Sequence, residues 1–440
     1  MVRNLVVVLC LLSVRLVVVS CDHESRTCEE SVSPVVNWIL SSATVHRRVD
    51  QELGVNSTEC LNDTIPCRTL HYALRSVENQ EERSSVRNLV IYLGPGTYVL
   101  TGSEQVIDSV GVALIGAGPD KTVFTCGEFG DSDRVCDYMN FQIRNSSYVY
   151  VTGILFTRCG PITSAVYVAF SDNIYFDNCV FQDTLSPSVL IHNTWTVVLD
   201  TCIFANNLPA RLPPNITHNR CYFTGGKDLF FVDNRTTSGG ISFYVEDSPT
   251  TFLLINCTFI NNKARPDEDV SLVRRSESYG HGGAVNIRLL HSSNSVVCIL
   301  NSTFIGNSAQ AHGGGLVLSL AGNSSHNQFL VSKSLFENNF CTAEKCTGGG
   351  IGLDLLAGSQ FNRLEIVDTN FTGNKANASG AISMSTSVSA EGGEGTPSDV
   401  LVLRNCLFMK NEAFFEGTAL GAYSLTHTQQ IGIPLEIHNW

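Results

Sequence analysis

Two aspartates hold the positions in this chain best suited to acid–base chemistry. Asp177 and Asp200 each precede a phenylalanine, Phe181 and Phe204, by four residues. If those phenylalanines belong to successive turns of a repeat, the carboxylates stack about 4.8 Å apart. Cleaving a glycosidic bond takes two carboxyl groups, ~5 Å apart for retention or ~6.5–9.5 Å apart for inversion. The corresponding positions elsewhere hold Thr152, Lys227, Ile255, Leu300, Ser332, Val367 and Arg404, the variety of a partly exposed position near a bend. Surface carboxylates are the simpler account. No catalytic residue is assigned, and the chain is expected not to be an enzyme, with a polysaccharide hydrolase or lyase as the alternative and Asp177 and Asp200 as its candidates.

Other reactive side chains give less. His281 and His312 each directly precede a glycine. Stacked imidazoles can bind a metal, but no carboxylate or further histidine is evident to complete a coordination set, so both read as turn residues and no metal or cofactor is expected. Sixteen cysteines include the short-range pairs Cys60/Cys67, Cys126/Cys136 and Cys341/Cys346, spacings that close small disulfide loops in an oxidising compartment. With no Cys-x-x-Cys and matching His pair, zinc is the weaker reading. Cys179, Cys202, Cys257 and Cys406 each stand two residues before a phenylalanine, on its buried side. They are small core residues or, at Cys179 and Cys202 first, coil-to-coil bridges. Tyr148, Tyr150, Tyr167 and Tyr175 cluster early in the chain as core aromatics or a stacking platform for sugars.

What must position these groups is a repeat. Phe-x-x-Asn recurs at Phe204/Asn207, Phe231/Asn234, Phe259/Asn262, Phe304/Asn307, Phe336/Asn339, Phe371/Asn374 and Phe408/Asn411, with Phe156 and Phe181 in the same slot upstream. Glycine-rich clusters leading into apolar sequence follow the later copies, as in Gly282-Gly283-Ala284-Val285 and Gly313-Gly314-Gly315-Leu316. Partly alternating, β-prone residues precede each phenylalanine, so one face of each strand is buried. One such unit cannot bury that face alone; stacking copies builds a continuous core. The expected fold is all-β: a right-handed parallel β-helix solenoid with a short N-terminal helical cap. Its phenylalanines stack inward and its asparagines (Asn207, Asn234, Asn262, Asn307, Asn339, Asn374 and Asn411) form a coil-to-coil ladder. Leu70, Ala73, Leu74 and Val77 fall at helical spacing, placing a helix across the open first coil, and Trp38-Ile39-Leu40 reads as part of another.

The Phe-x-x-Asn plus Gly-Gly-Ala/Gly-aliphatic pairing resembles the repeats of polymorphic outer-membrane proteins. Cys60…Cys67-Arg68-Thr69-Leu70 and Gly94-Pro95-Gly96-Thr97-Tyr98 look like the opening of pectin-lyase-like right-handed β-helix proteins. The resemblance covers roughly residues 60–420 and implies surface display or adhesion rather than a defined reaction. Gly280-His281-Gly282 is similar to the Gly-His-Gly of polygalacturonases, but the Asn-Thr-Asp, Asp-Asp and Arg-Ile-Lys segments of that family are missing. Nothing here resembles a carboxy-terminal membrane barrel.

Composition sets the compartment and partners. The 440 residues are 43% hydrophobic and 16% charged, with a net charge of −13, which argues against disorder, a charged coiled coil and a nucleic-acid partner. A basic start at Arg3, an apolar run from Leu5 to Val14 and Ser20 before Cys21 read as a signal peptide over 1–20. No later stretch is long and apolar enough to span a bilayer. Sequons at Asn56, Asn62, Asn145, Asn215, Asn234, Asn256, Asn301, Asn323, Asn370 and Asn377 suit a secreted glycoprotein. The organisation is thus a signal peptide (1–20), a cysteine-containing segment with a capping helix (21–77) and a β-helix (78–440). Its last repeat runs close to Trp440 with no obvious cap, as in a piece of a longer chain. The expected role is a secreted or cell-surface module binding extracellular glycans or proteins through coil faces and the loops 263–280 and 386–399.

Overall fold

The structure is a computed structural model. It describes residues 17–21, 28–32, 44–57, 60, 65–78, 88–100, 105–107, 111–126, 141–159, 164–184, 187–207, 221–222, 231–232, 238–264, 281–310, 312–342, 346–356, 358–386, 399–416, 420–424 and 435–438. Three long parallel sheets run along a right-handed solenoid, and the chain visits them in turn. The first has twelve strands, from Thr44–Val49 to Leu435–His438. The second has ten, from Gly96–Leu100 to Leu407–Met409, and the third ten, from Gln105–Ile107 to Leu420–Ser424. A four-stranded parallel ribbon, Ser308–Ala309 to Glu412–Glu416, follows the second sheet in the later coils.

The second sheet explains the repeat. Its strands put one aromatic inward in each coil: Tyr98, Phe124, Phe156, Phe181, Phe204, Phe259, Phe304, Phe336, Phe371 and Phe408 are register partners. From Phe156 onward the rings stack within 10° of parallel at 4.5–5.1 Å. Phe231 is a correction. Phe231–Val232 pairs antiparallel with Cys221–Tyr222 in a separate two-stranded sheet, and Phe204 lies directly on Phe259 at 4.8 Å. A local Phe-x-x-Asn match is not a coil, because a coil needs a strand in every sheet. Tyr98 and Phe124 extend the column the other way.

The asparagine ladder runs through Asn207, Asn262, Asn307, Asn339, Asn374 and Asn411 at 2.8–3.0 Å between side chains. Asn234 lies outside the described residues, and the ladder passes from Asn207 straight to Asn262. Each inner amide is fully used. Asn307 donates to the Phe259 carbonyl and to Asn339 Oδ1, and its own Oδ1 accepts the backbone and side-chain N–H of Asn262. Leaving such a buried group without its partner costs about 1–3 kcal/mol, so the ladder fixes register as well as stability. A second ladder, Asn327 to Asn362 to Asp399, was not visible in the repeat.

Corners are single left-handed residues. Between the first and second sheets they are Asn178, Thr201, Asn256, Asn301, Lys333, Asp368 and Asn405, with φ of 47–53°. Asparagine tolerates that conformation better than most side chains, which accounts for its abundance. A Cβ at Gly350 would sit 2.7 Å from the Ala381 carbonyl oxygen and 3.1 Å from the Phe371 ring. That is why a glycine follows the ladder where the chain presses on the aromatic column.

The helix is present over Leu70–Glu78, with Leu70, Ala73 and Leu74 buried in the main core; Trp38-Ile39-Leu40 lies outside the described residues. The first sheet already begins at Thr44–Val49, paired in parallel with Asn88–Leu93, ahead of the expected boundary at 77/78. Cys60–Cys67 and Cys341–Cys346 are disulfides, whereas Cys126 bonds Cys159 rather than Cys136. Cys126 ends the strand Thr122–Cys126 and Cys159 lies two residues past the neighbouring strand Leu155–Thr157, with their Cα atoms 4.8 Å apart, within the window a disulfide requires. Cys136 lies outside the described residues.

Candidate functional site

Strand alternation gives every sheet an inward row, which fills the core, and an outward row, which is free to vary. On the first sheet the outward row runs Val90, Ala113, Tyr150, Tyr175, Val198, Leu253 and Cys298, and all seven are buried. Cys298 is disulfide-bonded. Asp177 and Asp200 lie beside this row and are register partners, as the repeat required. They are not surface residues: Asp177 is 8% exposed and Asp200 3%. The expectation of a partly exposed position is therefore corrected, since neighbouring outward residues form a second apolar cluster around the pair.

Asp177 Oδ2 accepts from the Tyr150 hydroxyl at 3.0 Å and the Thr152 hydroxyl at 3.3 Å. Asp200 Oδ1 accepts from Thr201 at 3.0 Å and from the Asn256 amide at 3.1 Å. Burial pushes the Asp177 carboxyl up to about 6, against the Tyr150 hydrogen bond and with the Asp200 charge. A proton held at that level suits a general acid, but both carboxyls are buried. Tyr150 and Tyr175 pack into the same sealed face, Tyr167 is buried and Tyr148 alone of the four is exposed, at 36%. Cys179, Cys202 and Cys257 are buried free thiols, and Cys406 is half-buried and free. His281 stacks on His312 at 4.9 Å, and His312 Nδ1 lies 3.0 Å from the Thr347 hydroxyl. Among the described residues no three His, Cys, Asp or Glu side chains converge as metal ligands.

The third sheet's outward face is different. Arg144, Ala169, His192, Tyr244, Arg288, Ser319, Asp354 and Ser385 are register partners along one column. Except for Ala169 and Asp354, which are buried, they are half-buried. His192 lies on Tyr244 at 5.3 Å and 15°, and Trp195, 61% exposed, follows three residues after His192. The Tyr244 hydroxyl donates to Glu246 at 2.9 Å. Burial, then this carboxylate, raises the Tyr244 hydroxyl, while burial lowers His192 against the pull of Glu246. Asp354 accepts from Ser385 at 2.8 Å and Ser319 at 3.4 Å. Sequence reasoning missed this column. The available signal was position: Arg288, Ser319, Asp354 and Ser385 each stand three residues after the aliphatic that follows a glycine-rich or small-residue cluster.

Of the sequons, Asn56, Asn145, Asn256, Asn301, Asn323 and Asn370 are exposed and Asn377 is half-buried; Asn62, Asn215 and Asn234 lie outside the described residues. So do 265–280 and 387–398 in the two candidate binding loops. No helix among the described residues is long and apolar enough to cross a membrane.

A sequence family described as right handed beta helix region matches residues 106–330, just over half of the chain. No curated protein matches. Solved structures similar to the chain include a rhamnogalacturonan lyase, with 11% identity, 81% of this chain and 84% of that one covered, and a TM-score of 0.40. The catalytic domain of a GH87 α-1,3-glucanase in complex with nigerose is similar at 11% identity, with 84% and 67% covered and a TM-score of 0.39. So is PfbA, a surface adhesin of Streptococcus pneumoniae, at 12% identity, with 82% and 92% covered and a TM-score of 0.30. The expectation that the chain is not an enzyme is corrected here. The solved structures to which it is similar include a lyase and a glucanase.

Proposed function

The chain belongs to the right-handed β-helix family, and from that premise we propose that it is a secreted, glycosylated rod that binds extracellular glycans or proteins on the outward face of its third sheet. The half-open column from Arg144 to Ser385 carries this reading, because it combines stacked rings, charges and hydroxyls on a rigid backbone where a ligand can reach them. The disulfides fit an oxidising compartment, the segment 1–20 serves as a signal peptide, and the exposed sequons are the glycosylation sites. Screening the purified chain against a glycan and extracellular-protein array is the test. Binding that falls at least ~10-fold in Tyr244→Ala supports the proposal; a ligand held equally well by that variant, or no ligand at all, counts against it.

Polysaccharide cleavage is the second reading, favoured by one observation: Asp177 and Asp200 are register partners in adjacent coils. Following polymer length during the same incubations tests it. Cleavage that is lost in Asp177→Asn would assign the reaction to this pair.

A further inference from the structure

We infer that the open face carries an oxyanion subsite centred on Arg288, which takes the sulfate or carboxylate of an acidic glycan whose sugar ring lies against Tyr244. The inference rests on the binding role proposed for this face and names the ligand class.

Arg288 points outward from Val285–Leu290, between Tyr244 of one neighbouring coil and Ser319 of the other. The side chain is half-buried, and its Nε is buried with no hydrogen-bond partner. A guanidinium offers five N–H donors in a planar fork that matches an oxyanion, so a buried Nε without an acceptor is a site short of its ligand. The nearby carboxylates do not fill it: Glu246 is engaged by the Tyr244 hydroxyl and Asp354 by Ser319 and Ser385. The column's other basic side chains, the His192 imidazole and the Arg144 guanidinium, lie two and four coils from Arg288. Contrast Arg404 on the first sheet, whose guanidinium is bound to Glu365 at 2.6 Å.

The stacked His192–Tyr244 pair decides for a glycan over an acidic peptide. Adjacent coils are about 4.8 Å apart, close to the width of a sugar ring. A pyranose on Tyr244 therefore brings a substituent to Arg288. The chain's net charge of −13 disfavours diffuse polyanion adsorption, so binding of an acidic polymer requires a local site.

Binding of the full chain to dextran sulfate, hyaluronan, unmodified dextran and poly-glutamate tests this. The sulfated and carboxylated glycans separate the two sources of the oxyanion, and one or both should bind more tightly than dextran. Arg288→Gln should lower that affinity about tenfold and flatten its salt dependence. Arg288→Lys should retain part of it, and Arg404→Gln all of it, with thermal midpoints confirming that each variant folds. Dextran bound as tightly as the acidic glycans, or an Arg288→Gln variant that binds normally, overturns the subsite while leaving the face as a binding surface. Poly-glutamate bound with the same Arg288 dependence overturns the glycan assignment. Failure of every polymer here, with a blank array, removes both the subsite and the binding role.

Discussion

The outward faces of the first and third sheets are built on the same coils, with the same parallel register and left-handed corners, yet they have opposite character. On the first, Tyr150, Tyr175, Val198 and Leu253 are buried, and two aspartates are buried with them. On the third, His192, Tyr244 and Arg288 remain half-open. A solenoid's inward row is dictated by the core, so its outward rows are where one scaffold diverges. The comparison also shows that acidic residues in register do not make a site. Asp177 and Asp200 meet the spacing argument and still do not face a ligand, whereas the third-sheet column matches no catalytic pattern and is accessible.

Truncating an equivalent ring on each face should break the comparison most visibly. Tyr150→Ala removes a fully buried ring and one of the two donors to Asp177, and should cost about 3–5 kcal/mol. Tyr244→Ala removes a half-buried ring and should cost about 1 kcal/mol. Urea unfolding of both variants measures the difference. Similar losses would mean that the two faces are equally sealed and that the third sheet is no binding surface.

The solenoid itself was legible because its core positions recur. A phenylalanine three residues before an asparagine, with small residues beyond, is what an aromatic column, an amide ladder and a close corner demand. The pattern failed at Phe231 because four residues cannot report whether strands of all three sheets accompany them. Tyr98 and Phe124 went unread, although their coils lack the asparagine just as those of Phe156 and Phe181 do; at Tyr98 the phenylalanine itself is replaced. The Cys126–Cys159 bond was hidden for a related reason: coils bring together residues 33 apart, while a search for small loops favours near neighbours. The Arg288 column left only its register in the sequence, since outward residues are free to differ from coil to coil. Burial of Asp177 left none, because it depends on what surrounds an outward row and not on the repeat.

Charge on the sealed face gives the next effect. Asp177 holds its proton up to about 6, above the ordinary 3.8, so the folded protein binds that proton more tightly than the unfolded chain. The stabilisation is complete below pH ~4 and is lost as pH rises through 6. Asp177→Asn, neutral at every pH and still able to accept from Tyr150 and Thr152, should therefore be more stable than the parent at pH 7.5. The gain is up to about 3 kcal/mol and should vanish near pH 3.5. Denaturation midpoints across that range give the answer. A gain independent of pH would show that the carboxylate is not strained by burial.

The smallest effect distinguishes ring from hydroxyl on the open face. Tyr244→Phe keeps the surface stacked on His192 and removes the donor to Glu246. That hydrogen bond is half-exposed, and its loss should cost about 1 kcal/mol or less. If ligand recognition rests on the ring, the phenylalanine variant binds like the parent while Tyr244→Ala does not. If the two variants lose affinity equally, the hydroxyl and the carboxylate it orients are the recognising groups. Glu246 would then contact the ligand directly, placing the binding centre toward the end of the strand Ile241–Glu246, away from Arg288.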